Sequence, residues 1–134
     1  MKVSYLIETD WIIHYLIGTK HIQQELQRLR PEGLAVSIIS LAEVYEGVYY
    51  SKDTAASQKG FEDFLSDMPI LPVDEEVCKI FAKERGRLRK QGNIIGDFDL
   101  LIASTCLCND LTLLTNNVRH FERVDRLRFI SMVK

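Results

Sequence analysis

Cysteine and long apolar runs are both scarce in this chain of 134 residues. Its three cysteines, Cys78, Cys106 and Cys108, are too few for the disulfide framework of a small secreted domain, and their spacing does not match a zinc site. No apolar run approaches the roughly 18 residues that span a bilayer. Glu8 and Asp10 also interrupt the apolar N-terminus before the core of a secretory signal is complete. The sequence therefore predicts reduced, packed thiols in a cytoplasmic protein that has no membrane partner.

Charge of one sign is not in excess either, because the net charge is only −2. A strongly basic balance, which would indicate nucleic acid as a partner, is thus absent. The cations are nevertheless clustered. KERGRLRK (83–90) holds five bases and one acid, and RHFERVDRLR (119–128) holds four arginines, one histidine and two acids. Each run is either a phosphate-facing patch or, more plainly, a solvated helix face.

Internal repeats, low-complexity tracts and linker-like segments are missing, so a single domain over residues 1–134 is expected. Short apolar runs predict strands at residues 3–7, 34–39, 70–73, 112–115 and 127–130. Helical patterns are found at residues 10–17, 20–30, from 40 onward, 58–68, 74–91 and 97–108. Because strands and helices alternate, the sequence predicts an α/β fold with a mainly parallel sheet.

Polar side chains gather where the predicted strands end or the helices begin. They form four clusters: Glu8 with Asp10, Glu43 alone, Asp97 with Asp99, and Asn116 with Asn117. In a parallel α/β sheet, ligands bind beyond the carboxyl ends of the strands. The clusters are therefore candidates for a common site at one edge of the sheet.

Each cluster also has a purely structural interpretation. Asp10 is a suitable N-cap for the first helix. Ser40 and Glu43 match a capping box, and Asp97 is a suitable cap for its own helix, with Asp99 favoured by the helix dipole. The two asparagines are ordinary turn residues.

Taken together, the acids point to a cation, because converging carboxylates repel one another unless a positive charge lies between them. Mg²⁺ is bound by a few carboxylates and keeps several of its waters. Such a site can polarise a phosphodiester and activate water without histidine. His14, His21 and His120 share no spacing and are interpreted as surface or core residues.

Four segments resemble, in order, the motifs of the PIN-domain family: YLIETDWII, ISLAEVYEGV, IGDFDLLIAS and LLTNNVRHFERV. Within that family they resemble the VapC-type toxin ribonucleases of toxin–antitoxin pairs, and the likeness runs over nearly the whole chain. The resemblance implies a three-layer α/β/α, Rossmann-like fold and RNA cleavage that depends on Mg²⁺ or Mn²⁺. It also implies a cognate antitoxin that blocks the site, and a homodimer.

The resemblance assigns roles to individual residues. The four catalytic positions of the family fall on Glu8, Glu43, Asp99 and Asn117. The implied metal ligands are Glu8, Glu43, Asp97 and Asp99, and the implied auxiliary residues are Asp10, Thr115 and Asn116. The candidate RNA-binding residues, taken from the two basic runs, are Arg85, Arg87, Arg89, Lys90 and Arg119.

Glu8 departs from the family pattern, which has aspartate at this position. The extra methylene moves the carboxylate by about 1 Å or more, and Mg²⁺ tolerates little error in geometry. Three interpretations stay open: the site accommodates glutamate with help from Asp10, the chain is a weakened natural variant, or the residue was substituted to silence the toxin. We expect Glu8 to point into the cleft, and Asp10 to cap the helix by accepting from the amide of Ile12 or Ile13.

Other functions compete with a ribonuclease. A phosphoryl-receiver domain needs a lysine after a late strand, which is missing, although Asp74 offers an acid after the third strand. A haloacid-dehalogenase-type phosphatase needs an aspartate nucleophile, and Glu8 stands in its place. The remaining alternative is a degenerate PIN-like module that binds RNA or antitoxin without cleavage, and Glu8 is its main support.

Overall fold

A computed structural model describes residues 2–132 of the chain. Its strands are β1 (Tyr5–Ile7), β2 (Leu34–Ser37), β3 (Ile70–Leu71), β4 (Thr112–Leu114) and β5 (Phe129–Ile130). Its α-helices are α1 (Thr9–Leu16), α2 (Lys20–Leu29), α3 (Ile38–Tyr49), α4 (Thr54–Leu65), α5 (Glu75–Lys90), α6 (Asp97–Asn109) and α7 (Val118–Phe121). A short 3₁₀ turn over Arg30–Glu32 connects α2 to β2.

The strands form one parallel sheet in the order β3-β2-β1-β4-β5. Successive strands step outward from β1 to β3, after which the chain crosses back to place β4 on the other side of β1. The direction of winding therefore reverses between β1 and β4, where the two strands pair from Tyr5 with Thr112 to Ile7 with Leu114. In such folds this reversal opens a crevice at the carboxyl ends of the two strands.

Helices cover both faces of the sheet. On one face, α1 to α4 enclose a core that includes Trp11, Ile22 and Phe61, each fully buried. On the other face, α5, α6 and α7 pack over a second core that includes Ile102 and Phe121. Alternate residues of a strand point to opposite faces, and both faces are covered, so the short strands are mostly apolar. The arrangement is the predicted three-layer α/β/α fold.

The predicted strands and long helices are confirmed, but every strand is shorter than predicted, and α7 was not predicted at all. The N-cap of α5 was predicted correctly, because Asp74 Oδ1 accepts from the amide of Val77 at 2.9 Å. The start of α3 was predicted two residues too late. Ser37, at the end of β2, caps it by accepting from the amide of Ile39 at 3.0 Å, so the apolar pair 38–39 lies in the helix.

Cys106 is fully buried as a packed thiol, as predicted, whereas Cys78 is exposed. Within residues 2–132, no helix has the length and apolar composition that crossing a membrane requires.

Candidate active site

The candidate site lies at the crevice between β1 and β4. Glu8 follows β1, and Thr115 to Asn117 follow β4. The amide of Glu8 donates to the Leu114 carbonyl at 3.0 Å, which continues the pairing of the two strands by one residue beyond β1. Side chains from both strand ends are therefore held against each other, as the positions of the polar clusters in the sequence predicted.

Glu8 is the N-cap of α1, and in this the prediction for Asp10 was wrong. The Glu8 backbone is extended, and its Oε2 accepts from the amide of Asp10 at 2.9 Å. Its Oε1 accepts from the Thr115 hydroxyl at 3.0 Å. That hydroxyl in turn accepts from the amide of Asn117 at 2.9 Å. Glu8 caps because α1 already begins at Thr9, so the residue at the end of the strand occupies the capping position.

Asp10 lies within the first turn of α1 and bonds across the crevice instead. Its Oδ2 accepts from the amide of Asn116 at 2.9 Å. Its Oδ1 is buried and accepts no hydrogen bond of normal geometry from residues 2–132, although the nearby Trp11 amide opposes the rise in the pKa of the carboxyl. A buried acceptor without a partner costs about 1–3 kcal/mol. Asp10 therefore ties α1 to β4 and leaves one oxygen unsatisfied.

The carboxylates of buried Glu8 and half-buried Asp10 are electrostatically unfavourable as anions. Glu8 is 3% exposed, and this burial, reinforced by the charges of Asp10 and Asp99, raises its pKa to about 8. Burial also raises the pKa of Asp10, although the amide of Asn116 opposes the shift. Since both shifts arise from missing solvation and neighbouring negative charge, a positive charge among the three acids would reverse them.

Glu43 reaches the site from α3, but not as part of a capping box. Ser37 caps that helix, so the predicted pairing of Glu43 with the Ser40 amide is wrong. Glu43 Oε1 instead accepts from the Thr9 hydroxyl at 2.7 Å. The Thr9 oxygen also lies 2.9 Å from the buried Ser40 hydroxyl. These contacts fix Glu43 beside the first turn of α1.

Asp99 lies in the first turn of α6 and contacts a residue that the sequence did not identify. Its Oδ2 lies 2.7 Å from His120 Nδ1, and Asn117 Nδ2 lies 2.9 Å from the same nitrogen. His120 follows Asn117 by three residues, so the two share one face of the turn that contains α7. This spacing was the available signal, but α7 was not predicted and the histidine was therefore assigned to the surface or core.

Asp97 faces away from these contacts. Gly96 occupies the N-cap of α6, so the predicted capping role of Asp97 is wrong. Asp97 Oδ1 lies 3.3 Å from Arg85 Nη2, and its side chain is 58% exposed. Both Asp97 and Asp99 nevertheless line an open groove of about 400 Å³, together with Glu43, Gly96 and Phe98.

Asn116 has a structural role. Its Oδ1 accepts from Trp11 Nε1 at 2.9 Å and from the amide of Met132 at 2.8 Å. Its own amide donates to Asp10, so the residue connects the first helix, the fourth strand and the end of the described chain. It acts on the site by fixing Asp10.

The predicted basic patch divides into structural and exposed cations. Arg87 pairs with the buried Glu84 and donates to the Arg123 carbonyl at 2.9 Å. Glu84 also accepts from the amide of Asp125 at 2.8 Å. This clamp attaches the segment after α7 to α5. The guanidinium of Arg87 therefore has a structural role and is not counted as a phosphate contact. Arg85 pairs with Asp97, and both side chains are partly exposed. Of the predicted RNA-binding residues, the remaining three are Arg89, Lys90 and Arg119, and all three are exposed.

The donor set suits a hard divalent cation, which prefers carboxylate oxygens. The unsatisfied Asp10 Oδ1 and the raised pKa of Glu8 both indicate that these acids lack a positive partner. Between residues 2 and 132, however, no three His, Cys, Asp or Glu side chains are grouped closely enough to hold an ion. The predicted cluster of Glu8, Glu43, Asp97 and Asp99 is therefore not preformed in this structure.

A second, apolar cavity adjoins the acidic groove. It has a volume of about 440 Å³ and lies among α1, α3 and α4. Its apolar lining includes Ile13, Leu16, Ile17 and Val44, and Glu43 lies at its edge as well as in the acidic groove. Ile17 is 72% exposed. The two cavities thus share Glu43, where the lining changes from apolar to acidic.

Comparison with known proteins gives concordant results. The family profile described as PIN domain matches residues 5–127. The chain is similar to Ribonuclease VapC2 of Haemophilus influenzae (34% identity, covering 94% of this chain and 96% of that protein). It is also similar to Ribonuclease VapC2 of Rickettsia felis (32% identity, covering 92% and 93%). Among solved structures, VapBC2 from Rickettsia felis bound to a promoter DNA fragment superposes with a TM-score of 0.92, at 29% identity and with 98% and 100% coverage.

Proposed function

Because this chain belongs to the PIN-domain family, as a VapC-type ribonuclease toxin of a toxin–antitoxin module, we propose that it cleaves RNA phosphodiesters with the help of Mg²⁺ or Mn²⁺. One observation carries the proposal. Glu8, Asp10 and Asp99 are close enough to act on one another's charge, and Asp10 Oδ1 is buried without a partner. A cation bound beside these acids would relieve the repulsion among them and lower the pKa of Glu8.

We assign the metal to Glu8, Glu43 and Asp99, with Asp97 as a further candidate at the groove edge. When bound, the ion would polarise the scissile phosphate and lower the pKa of a water. Thr115 orients the Glu8 carboxylate by donating to Oε1. Asn117 is held by the hydrogen bond that its backbone amide donates to the Thr115 hydroxyl, and its side chain lies next to His120.

RNA would approach across the cationic margin of the groove. Arg89 and Lys90 at the end of α5, and Arg119 in α7, are the predicted phosphate contacts that no described ion pair engages. Arg85 is also available if Asp97 releases it to bind an ion, because their contact is between partly exposed groups. Arg87 is excluded by its role in the clamp. Contacts of this kind position the backbone and do not by themselves select a sequence.

The antitoxin would use the same surface. A basic side chain, most simply an arginine, can form a bidentate pair with the acids in place of the metal. The apolar cavity beside Glu43 would accept the apolar side chains that flank such an arginine. Inhibition then follows because one segment neutralises the acids and covers the approach. The homodimer implied by the family resemblance is retained as part of this proposal.

The test is cleavage of a mixed RNA substrate by the purified full chain in Mg²⁺, in Mn²⁺ and in EDTA, with Asp99→Asn as the inactive variant. Cleavage that needs the ion and Asp99 supports the proposal. Cleavage that persists in EDTA, or in Asp99→Asn, refutes it. Sequencing the 5′ ends of RNA fragments from expressing cells would then identify the target.

A second candidate is an RNA- or antitoxin-binding module that does not cleave. The observation in its favour is that both oxygens of Glu8 are engaged, one by the Asp10 amide and one by Thr115. Antitoxin or RNA binding without cleavage in the parent, together with cleavage after Glu8→Asp, would support this candidate.

A further inference from the structure

The Asp99 carboxylate is held by a histidine whose position is itself fixed. His120 Nδ1 lies 2.7 Å from Asp99 Oδ2. A carboxylate only accepts, so Nδ1 carries the proton and donates it to Asp99. Asn117 Nδ2, which lies 2.9 Å from the same nitrogen, is itself a donor and therefore forms no hydrogen bond with the protonated Nδ1. The residue after His120 is Phe121, which is fully buried in the second core. The burial of Phe121 therefore fixes the backbone that positions the imidazole ring of His120.

The clamp described above fixes the other end of the same segment. The buried Glu84 accepts from the amide of Asp125, and Arg87 donates to the carbonyl of Arg123. Arg123 also donates to the carbonyl of Ile94 at 3.1 Å. Because these hydrogen bonds and the buried Phe121 hold the segment, the turn that carries His120 has little freedom to move away from α6.

Each of the other acids at the site has its own donor. Thr115 donates to Glu8, Thr9 donates to Glu43, and the amide of Asn116 donates to Asp10. His120 provides the corresponding donor for Asp99. A donor of this kind occupies one carboxylate oxygen and fixes the plane of the group, which leaves the second oxygen for an ion. Hydrogen bonds behind the ligands of a metal have this orienting effect.

We propose that His120 is a positioning residue that fixes the Asp99 carboxylate for cation binding. The inference rests on the proposed function, since it gives Asp99 the role of a ligand. Its content is separate: a histidine outside the four acidic and amide positions sets the affinity of the site. His120 would act through Asp99 and would not need to touch the RNA.

The experiment compares Mn²⁺ affinity, measured by calorimetry on the full chain, in the parent, His120→Ala, His120→Asn and His120→Gln. The side-chain nitrogen of asparagine can occupy the place of Nδ1, whereas that of glutamine lies further from the backbone. We therefore expect His120→Ala and His120→Gln to weaken Mn²⁺ binding by about 10- to 100-fold, and His120→Asn to retain most of it. His21→Ala, which removes a histidine on α2, is the matched control and should leave the affinity unchanged.

Kinetics separate positioning from a direct catalytic role. If His120 only positions Asp99, RNA cleavage by His120→Ala should fall at low Mn²⁺ and recover at saturating Mn²⁺. Unchanged Mn²⁺ affinity in His120→Ala and His120→Gln would overturn the inference, as would a loss of kcat that saturating Mn²⁺ does not restore. If the parent binds Mn²⁺ and cleaves RNA but the His120 variants give either of these outcomes, only the inference about His120 is refuted. A parent that binds no Mn²⁺ would refute the proposed function as well.

Discussion

Replacing Glu8 by glutamine should stabilise the metal-free protein at neutral pH. The folded pKa of about 8 lies above the ordinary value of 4.5, so the folded chain binds a proton that the unfolded chain releases. The contribution of Glu8 to stability is therefore greatest below pH 4.5 and falls as the pH rises towards 8. At about 1.4 kcal/mol for each pH unit, the loss between pH 4.5 and pH 7 is about 3 kcal/mol.

Glutamine fits the same contacts without the charge. Its oxygen can accept from the amide of Asp10, and its nitrogen can donate to the Thr115 hydroxyl. That hydroxyl, which already accepts from the Asn117 amide, has a second lone pair for this bond. The variant should thus avoid most of the loss of about 3 kcal/mol at pH 7 and differ little from the parent near pH 4. For a domain of this size, we expect a rise in Tm of about 10 °C at pH 7.

The assay is urea and thermal unfolding of parent and variant in EDTA from pH 4 to pH 8, followed by circular dichroism. Glu46→Gln is the matched control, because it neutralises an exposed carboxylate on α3. A Glu8→Gln variant that is no more stable than the parent at pH 7 would refute the reasoning. A gain that is the same at pH 4 and pH 7 would also refute it, since the effect would then not come from the charge.

Three further predictions concern activity, backbone conformation and partner binding. Glu8→Asp should increase Mg²⁺-dependent RNA cleavage in a gel assay, because the shorter side chain suits the tight octahedron of the ion. If this variant shows no gain and Asp10→Ala loses metal binding in calorimetry, Asp10 is the first ligand instead of Glu8. Gly33→Ala should cost about 2–3 kcal/mol in urea unfolding, because a Cβ there would lie 2.1 Å from the Lys2 carbonyl oxygen and the residue has a φ of +96°. Gly60→Ala, where a Cβ meets no atom within 4 Å, is its control and should not destabilise. Ile17→Glu should weaken binding of the cognate antitoxin, measured by calorimetry, without lowering RNA cleavage. Ile70→Glu on the edge strand β3 is the control and should change neither antitoxin affinity nor cleavage. Equal antitoxin affinity in Ile17→Glu and the parent would show that the apolar cavity is not the docking surface.

The order of elements could be predicted from the sequence because each is encoded locally. Apolar runs of strand length alternate with helical patterns, and Asp74 starts α5 with a side chain that bonds three residues ahead. The end of β1 and the start of α6 also fall where the polar clusters are. Since all parallel strands end at one edge, this was enough to predict where Glu8, Asp99 and Asn117 would lie.

The tertiary structure decided which of several possible partners each polar side chain took. Aspartate is a preferred N-cap residue, so the sequence favoured Asp10 over Glu8 as the cap of α1. Asp10 bonds to the amide of Asn116, which β4 brings next to it across 106 residues of chain, and Glu8 is left as the cap. In the same way, Glu43 bonds to Thr9 and not to its own helix.

His120 shows the limit most clearly. Its contact with Asp99 spans 21 residues and depends on α7, a single turn whose position is set by the burial of Phe121 and by the bonds of Glu84 and Arg87. A four-residue helix carries too little periodicity to be recognised in a sequence. The local pattern therefore specified which residues stand at the crevice, whereas packing of distant segments determined which of them touch and how their charges interact.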